Sequence, residues 1–389
     1  LYVLDLPGEK LHRIKVFVTN DGVRTRPRWV EANKLIRSYD LAPNGKRALF
    51  GARGDIFTVP EKYGATRDLT QTSKAREQYP TWSPNGKWIA YTTDRTGETE
   101  IAIRPSNGSG KETILTHSKK GYYYEPVWSP NSIKLAFSDN THTLWYMNIK
   151  SRKMIKVDQD PQNEIHDYSW SPDGLWLTYS KLGNNNLTDI YLYNLKKNKA
   201  TRISSGMNSD YDPVFGSNGK YFFFLSARHE NPTFSQTEFN IATLKMEGIY
   251  VTTLQKDEPS PFAPRSDEGS LGKKSKSKTS GKWKPGAVSP IRIDLNELMQ
   301  RTVPLNIPAD NIFGLSVFRG FVYYVTTASQ MISGPLPGEK TVLHVYNMKK
   351  RKNYKLVSGI SGYALSADGS KILYKQKNKY IICIAPPQR

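Results

Sequence analysis

Apolar and polar positions alternate with a period of two along most of this 389-residue chain. The segments Leu144–Ile149 and Asp189–Leu195 show the alternation most clearly, and similar short runs repeatedly end in Pro/Asn/Asp-Gly turns. A period of two is typical of β-strands, and only Ile293–Arg301 carries a trace of the helical period. The pattern therefore predicts an all-β protein.

An aromatic run followed by such a turn recurs seven times along the chain. The turn positions are Gly45, Gly86, Ser132, Gly174, Gly219, Gly320 and Gly369. Every step between them except 219 to 320 spans 41 to 49 residues, the length typical of a four-stranded propeller blade. We therefore predict a seven-bladed β-propeller of four-stranded antiparallel blades.

The copy around Gly86 shows how one blade is built. We predict its strands at residues 79–83, 87–92, 100–104 and 112–115, and Asn85-Gly86 suits the first hairpin because both residues tolerate positive φ. In the four clearest copies an aromatic residue lies four positions before the turn: Trp82, Trp128, Trp170 and Phe215. These rings could form a ligand cage, but packing against the next blade is the interpretation we favour. We predict them in the core.

The one long step contains a segment of different composition. Residues 256–288 are rich in Pro, Ser, Gly and Lys, with a basic cluster at Lys273–Lys278. Such a segment buries little apolar surface, so we predict a disordered or loosely attached insertion in blade five; a docking arm for a partner is the alternative. The strands on either side, Gly248–Thr253 and Ile291–Leu295, are then expected to be neighbours in that blade.

The two ends of the chain contain incomplete blades. Residues 31–389 form the predicted propeller, and its last repeat supplies three strands, Tyr363–Ser366, Ile372–Lys375 and Tyr380–Ile384. Residues 1–30 contain two strand-like runs, Leu1–Leu6 and His12–Val18. They are either the last strands of a preceding propeller or strands that close the ring, and both interpretations stay open.

The formal net charge of +21 raises the question whether the chain binds nucleic acid. The basic residues are scattered over turns and the insertion, and no nucleic-acid signature is present, so we predict no specific nucleic-acid partner. The single cysteine, Cys383, excludes a disulfide within the chain. No apolar run reaches membrane-spanning length, which predicts no membrane segment.

The sequence lacks the common catalytic, metal-binding and nucleotide-binding motifs. The six histidines lack metal-ligand spacing, and the chain has no Gly-x-Ser-x-Gly elbow, P-loop or dinucleotide fingerprint. We predict no catalytic residue, metal or cofactor in this chain.

One set of equivalent positions, counted back from the inner aromatic residue of each blade, does suggest a binding site. Three residues before the inner aromatic lie Tyr79, Glu125, Asp167 and Asp212, preceded by Gln78, Tyr124, His166 and Tyr211. If the inner strands line the axis, these side chains surround one mouth of a central channel, where acidic and aromatic groups could meet a passing peptide. The alternative is that they accept hydrogen bonds from amides of neighbouring blades. The candidate mouth residues are Tyr79, Tyr124, Glu125, His166, Asp167, Tyr211 and Asp212.

Three stretches go beyond a generic propeller. Arg37–Pro60, Ile293–Leu305 and Ser361–Gly369 resemble the second propeller of tricorn-type proteases, and the position of the charged insertion is also similar. The resemblance implies an accessory domain of a serine peptidase that gates or guides oligopeptides towards a catalytic core absent from this chain. It also implies oligopeptides and the other domains of the parent peptidase as partners, a homo-oligomeric parent and a cytoplasmic location, while the missing N-terminus leaves a periplasmic one open.

Two other function classes remain open at this point. Similar repeats occur in Tol-associated propellers, which serve as stand-alone scaffolds for protein partners, and in the propellers of prolyl-oligopeptidase-type enzymes. In all three interpretations this chain is expected to be inactive as a peptidase by itself.

Overall fold

A computed structural model describes residues 1–17, 19, 22, 28, 30–72, 74–118, 121–230, 232–234, 241–265, 289–331 and 334–385. The chain divides into two units, Leu1–Leu35 and Ile36–Arg389. In the first unit, strands Tyr2–Asp5 and Lys10–Arg13 pair with each other in antiparallel register, and a short 3-10 helix covers Ala32–Leu35. Whether residues 1–30 belong to a preceding propeller stays a prediction.

The second unit contains six four-stranded antiparallel sheets and one three-stranded sheet, which we number blades 1 to 7. Blade 1 consists of Ile36–Leu41, Arg47–Ala52, Asp55–Pro60 and Arg67–Asp68, and blade 2 of Glu77–Trp82, Trp88–Thr93, Glu100–Pro105 and Thr113–Ile114. Blade 3 consists of Val127–Trp128, Lys134–Ser138, Thr143–Asn148 and Met154–Gln159, and blade 4 of Ser169–Trp170, Trp176–Leu182, Thr188–Asn194 and Lys199–Arg202.

Blades 5 to 7 complete the set. Blade 5 consists of Asp210–Phe215, Tyr221–Ala227, Glu247–Thr253 and Thr302–Pro304, and blade 6 of Ile312–Phe318, Phe321–Thr326, Val342–Asn347 and Lys352–Ser358. Blade 7 has three strands, Ile360–Leu365, Lys371–Gln376 and Lys379–Ile384. Two small hairpins, Pro232–Phe234 with Ile241–Thr243 and Gln330–Met331 with Gly334–Pro335, and a 3-10 helix at Leu298–Arg301 lie between strands. The predicted seven-bladed propeller is confirmed.

The first strand of each blade is the innermost one. First strands of neighbouring blades contact each other, for example Ile36–Leu41 with Glu77–Trp82. The four aromatic residues predicted in the core are buried: Trp82, Trp128, Trp170 and Phe215. Two of these indoles also tie blades together, because Trp128 Nε1 donates to the Thr81 carbonyl at 3.3 Å and Trp170 Nε1 to the Val127 carbonyl at 3.1 Å. The predicted core position of these four aromatic residues is confirmed.

The repeated Ser-Pro-Asn/Asp-Gly turn has a local physical cause. In blade 2 the Ser83 hydroxyl donates to Asn85 Oδ1 at 2.8 Å and accepts the Trp88 amide at 2.9 Å, while Gly86 adopts φ 73°. The same pair of bonds recurs at Ser129, Ser171 and Ser366. Each turn therefore satisfies its own polar groups and starts the second strand in register.

The three-stranded blade 7 joins blade 1 through side chains. Leu41, Phe50 and Leu373 form one buried cluster, and the Phe50 ring packs edge-on against Tyr380 with centroids 4.8 Å apart. At the turn side, the Asp368 amide donates to the Pro43 carbonyl at 3.1 Å. Packing between the first and last blades thus closes the ring.

The prediction for the strand after the insertion is wrong. The fourth strand of blade 5 is Thr302–Pro304, which pairs with Tyr250–Thr252. Residues 291–295 run outside the sheet instead, because the Ile291 amide donates to Asp173 of blade 4 at 2.7 Å and the segment's apolar side chains pack on the core around Leu298.

The part of the predicted insertion that the structure describes, residues 256–265, contacts blade 6. Phe262 meets Tyr346 edge-on at 6.5 Å, and Arg351 donates to the carbonyls of Pro261 and Ala263 at 3.1 and 2.6 Å. One aromatic anchor with a guanidinium clamp outweighs the polar composition there. Residues 266–288, on which the rest of the prediction depends, lie outside the described residues.

Candidate functional site

The inner strands kink at a common level near their N-terminal ends. Pairing with the second strand shifts register between Gln78 and Thr81 in blade 2 and between Tyr211 and Val214 in blade 5. Proline follows the kinked residue in these two copies and has no amide to pair with the second strand, which is compatible with a bulge there. Tyr79 and Asp212 consequently adopt left-handed φ values of 51° and 50°.

An aromatic belt spans the ends of blades 2 and 3. The Tyr122 hydroxyl donates to Gln78 Oε1 at 3.3 Å, and the rings of Tyr122 and Tyr124 lie 5.0 Å apart. Burial, and then the neighbouring Tyr122, raises the pKa of Tyr79, while burial and a hydrogen bond to Glu164 raise the pKa of Tyr124. These phenols therefore stay neutral at physiological pH.

The belt continues into a pocket beside blades 4 and 5. His166 is 73% exposed, and its Nδ1 lies 3.4 Å from Oε1 of Glu164. Both line a cavity of about 290 Å³ together with Asp167 and Tyr211. Burial, followed by the nearby Glu247 carboxylate, raises the pKa of Tyr211. The structure thus brings together candidates that the sequence placed only by register.

Two of the candidate carboxylates connect blades. Asp167 accepts the Asp212 amide at 2.7 Å and the Ser180 amide at 3.0 Å, and Asp212 accepts the Leu315 amide of blade 6 at 2.8 Å. These are the inter-blade hydrogen bonds that the sequence analysis gave as the alternative role. Their presence leaves each carboxylate with a structural function.

Asp40 performs the same task between blades 1 and 2 and was missed by the sequence analysis. Its carboxylate accepts the Trp82 amide at 2.7 Å. Counted from the turn of its blade, Asp40 lies two residues further along the strand than the candidate residues do. The equivalent residues are Thr81 in blade 2 and Val127 in blade 3. A charged residue at a position that is otherwise apolar or neutral was the signal that could have revealed it.

Glu125 differs from these three carboxylates. It lies just before the first strand of blade 3 and is exposed to solvent. Its backbone carbonyl accepts the Tyr168 hydroxyl at 2.6 Å, whereas its carboxylate accepts no hydrogen bond from the described residues. Burial and then the negative charge of Asp40 raise its pKa.

Burial dominates the electrostatics of this mouth. It raises the pKa of Asp40 to about 6 and that of Asp212 to about 7. Among the described residues, no lysine or arginine forms an ion pair with Asp40, Glu125, Asp167 or Asp212. These carboxylates therefore lack a basic partner among the described residues, although the whole chain is strongly basic.

The described residues offer groups for binding and orientation. They contain no set of three His, Cys, Asp or Glu side chains placed to hold a metal ion. They also contain no helix long and apolar enough to cross a membrane. What the described residues provide here is a group of phenols and carboxylates that can donate and accept hydrogen bonds.

Comparison with known proteins points to one family. The family model described as the tricorn protease second beta propeller domain matches residues 36–386. The chain is 22% identical over 381 residues to tricorn protease homolog 1 of Streptomyces coelicolor, covering 95% of this chain and 35% of that protein. It is 23% identical over 378 residues to the tricorn protease homolog of Saccharolobus solfataricus, covering 96% and 32%.

A solved structure shows the same fold. The crystal structure of the tricorn protease superimposes with a TM-score of 0.76 at 16% identity, covering 99% of this chain and 36% of that one. The chain thus spans about a third of the length of the relatives that it matches.

Proposed function

Because this chain belongs to the tricorn protease second beta propeller domain family, we propose that it is the accessory propeller of a serine peptidase. In this role it guides oligopeptides towards a catalytic core that lies outside residues 1–389. The remaining domains of that peptidase, assembled as a homo-oligomer in the cytoplasm, are its partners.

The observation that carries this proposal is the composition of the mouth in a chain that matches the family along nearly its whole length. Glu125 is exposed just before the first strand of blade 3, and its carboxylate accepts no hydrogen bond from the described residues, while Tyr79 and Tyr124 are partly buried near the starts of blades 2 and 3. Carboxylates and phenols at such a rim can hydrogen-bond the backbone and terminus of an extended peptide.

The test uses the full-length protein that contains this chain. Glu125→Trp places a large ring at the mouth, and Glu98→Trp, at an exposed turn of blade 2, is the matched control. We expect kcat/KM for a long quenched peptide to fall several-fold in Glu125→Trp, while a short fluorogenic peptide is cleaved at the parental rate. Equal cleavage of both substrates by all three proteins would refute guidance through this mouth.

A second measurement checks the location of the chemistry. Purified residues 1–389 should hydrolyse neither peptide, whereas the full-length protein should hydrolyse both. Hydrolysis by the purified chain, retained after repeated purification and blocked by a serine-directed inhibitor, would place the active site here and overturn the accessory role.

A further inference from the structure

The hairpin turns of the blades lie together at one end of the ring. Strands 1 to 4 of a blade are neighbours in antiparallel order, so the turn between strands 1 and 2 and the turn between strands 3 and 4 leave the same edge of the sheet. In blade 3 these two turns bond to each other, because the Ile149 amide donates to the Ile133 carbonyl at 3.0 Å. In blade 4 the Leu195 amide donates to the Leu175 carbonyl at 3.1 Å. We call this end of the propeller the turn face.

The turns of neighbouring blades also contact each other across this face. Lys134 Nζ, next to the first turn of blade 3, donates to the Gly174 carbonyl in the first turn of blade 4 at 3.2 Å. The Asn85 amide in the first turn of blade 2 donates to the Ser132 hydroxyl of blade 3 at 3.0 Å. The turn face is therefore a continuous surface rather than a set of separate loops.

This surface is strongly basic. The turns between strands 3 and 4 of blades 3, 4 and 6 are residues 149–153, 195–198 and 348–351, which contain eight Lys and Arg and no Asp or Glu. The loops at the opposite end of the ring contain about as many Asp and Glu as Lys and Arg. In blades 3 and 4 the basic side chains of these turns are exposed, and none forms an ion pair with the described residues: Lys150, Arg152, Lys153, Lys196 and Lys197.

Exposed apolar side chains accompany these charges. Ile133 is 46% exposed and Leu175 39%, and each lies in the first turn of its blade, bonded to the basic second turn. An anionic bilayer complements this pairing, because it offers phosphates to the cations and an apolar layer just beneath them. Nucleic acid offers phosphates without that layer, and stacking on its bases requires aromatic rings, which these four turns lack. The combination therefore favours lipid.

We propose that the turn face of blades 3 and 4 docks on an anionic lipid surface. The five cations of the second turns meet the lipid phosphates, while Ile133 and Leu175 enter the interfacial layer. The cytoplasmic leaflet of a membrane has the required negative charge. This inference goes beyond the proposed function, since the candidate mouth residues lie near the starts of the first strands, at the opposite end of the ring.

Co-sedimentation of the 389-residue chain with vesicles tests the docking. Vesicles of phosphatidylcholine and phosphatidylserine at roughly 7 to 3 should bind the chain more than about tenfold more tightly than vesicles of phosphatidylcholine alone, because each Lys or Arg near an anionic surface contributes about fivefold. Added salt should weaken this binding. Equal binding to both kinds of vesicle, or binding to neither, would overturn the proposal.

Charge variants assign the binding to this face. Lys153→Gln combined with Lys196→Gln should weaken binding to the anionic vesicles by about 25-fold. Lys74→Gln combined with Lys340→Gln removes two exposed lysines from the opposite end of the ring and is the matched control, which should bind as the parent does. Urea unfolding checks that each variant is folded. An equal loss in both double variants would show that total charge, and not the turn face, drives binding.

Apolar variants separate a lipid surface from nucleic acid. Ile133→Ser combined with Leu175→Ser should weaken vesicle binding roughly tenfold, since both tips leave the interfacial layer. It should leave the affinity for a dye-labelled DNA duplex, measured by anisotropy, unchanged. Met207→Ser, at a side chain that is 76% exposed at the opposite end, is the control for lost apolar surface. Unchanged vesicle binding in the Ile133/Leu175 variant, or the same loss in Met207→Ser, would overturn lipid docking and leave a general polyanion surface.

Discussion

Asp212 allows the electrostatics of the inner ring to be tested by one substitution, Asp212→Asn. Burial raises the pKa of this carboxyl from 3.8 to about 7, and the charge of Asp167 adds to the shift. The folded protein thus holds the proton more tightly than the unfolded chain does. Ionisation of Asp212 at neutral pH must therefore reduce the stability of the wild type.

The pH window and the magnitude follow from the two pKa values. Below the unfolded value of 3.8 the carboxyl is protonated in both states, and the stability that depends on its proton is fully present. As the pH rises through the folded value of about 7 that stability is lost. At 1.36 kcal/mol for each pKa unit, the loss is about 4 kcal/mol and is constant at higher pH.

Asparagine does not titrate, so the variant lacks this pH-dependent loss. Its single side-chain oxygen can still accept the Leu315 amide, and its unpartnered amino group costs about 1–2 kcal/mol at every pH. The difference in unfolding free energy, variant minus wild type, should therefore grow by about 4 kcal/mol between about pH 4 and about pH 8.

Urea unfolding across this pH range measures the difference directly. Asp257→Asn, which changes an exposed aspartate outside the ring, is the matched control. If the difference for Asp212→Asn does not vary with pH, burial does not hold the proton on Asp212 and the electrostatic account of the mouth fails.

Two further predictions concern packing. Trp170→Phe removes the indole donor to the Val127 carbonyl and should lower the free energy of unfolding by about 1–2 kcal/mol in urea titrations, and no change would refute the inter-blade tie. Phe262→Ala removes the aromatic anchor under Arg351 and should accelerate tryptic cleavage after Arg265, measured by mass spectrometry; an unchanged cleavage rate would show that Phe262 does not fasten residues 256–265.

The blade count and the core could be predicted from the sequence because both depend on local chemistry. Each Ser-Pro-Asn/Asp-Gly copy makes hydrogen bonds within the turn, as Ser83 does with Asn85 and Trp88. The turn therefore forms wherever this short sequence occurs. The aromatic residue before it is buried in every clear copy, Trp82 and Phe215 included. Neither feature requires information from distant parts of the chain.

Blade 5 shows where such reasoning ends. Ile291–Leu295 has the alternation of a strand, yet the Ile291 amide finds Asp173, 118 residues earlier, and the fourth strand forms at Thr302–Pro304 instead. Phe262 similarly orders a segment of disorder-prone composition by reaching Tyr346. Such contacts depend on which blades become neighbours, and spacing along the chain does not contain that information.

The candidate positions follow from the repeat. Equivalent positions of repeated blades lie at the same height in a ring, so the register of Tyr79, Glu125 and Asp212 predicts a common rim. It did not separate the carboxylates that bind amides from the one that binds none. Asp167 and Glu125 occupy equivalent positions, but the Ser180 amide and hydroxyl and the Asp212 amide donate to Asp167.

The buried charge of Asp212 has a cost that its inter-blade bond does not require. A neutral asparagine could accept the Leu315 amide in place of Asp212 without the desolvation penalty of about 4 kcal/mol that the buried charge incurs. The inter-blade bond alone therefore does not account for an acid at this position. Asp212→Asn should thus make the propeller more stable at neutral pH, since the variant keeps an acceptor for the Leu315 amide and loses the buried charge.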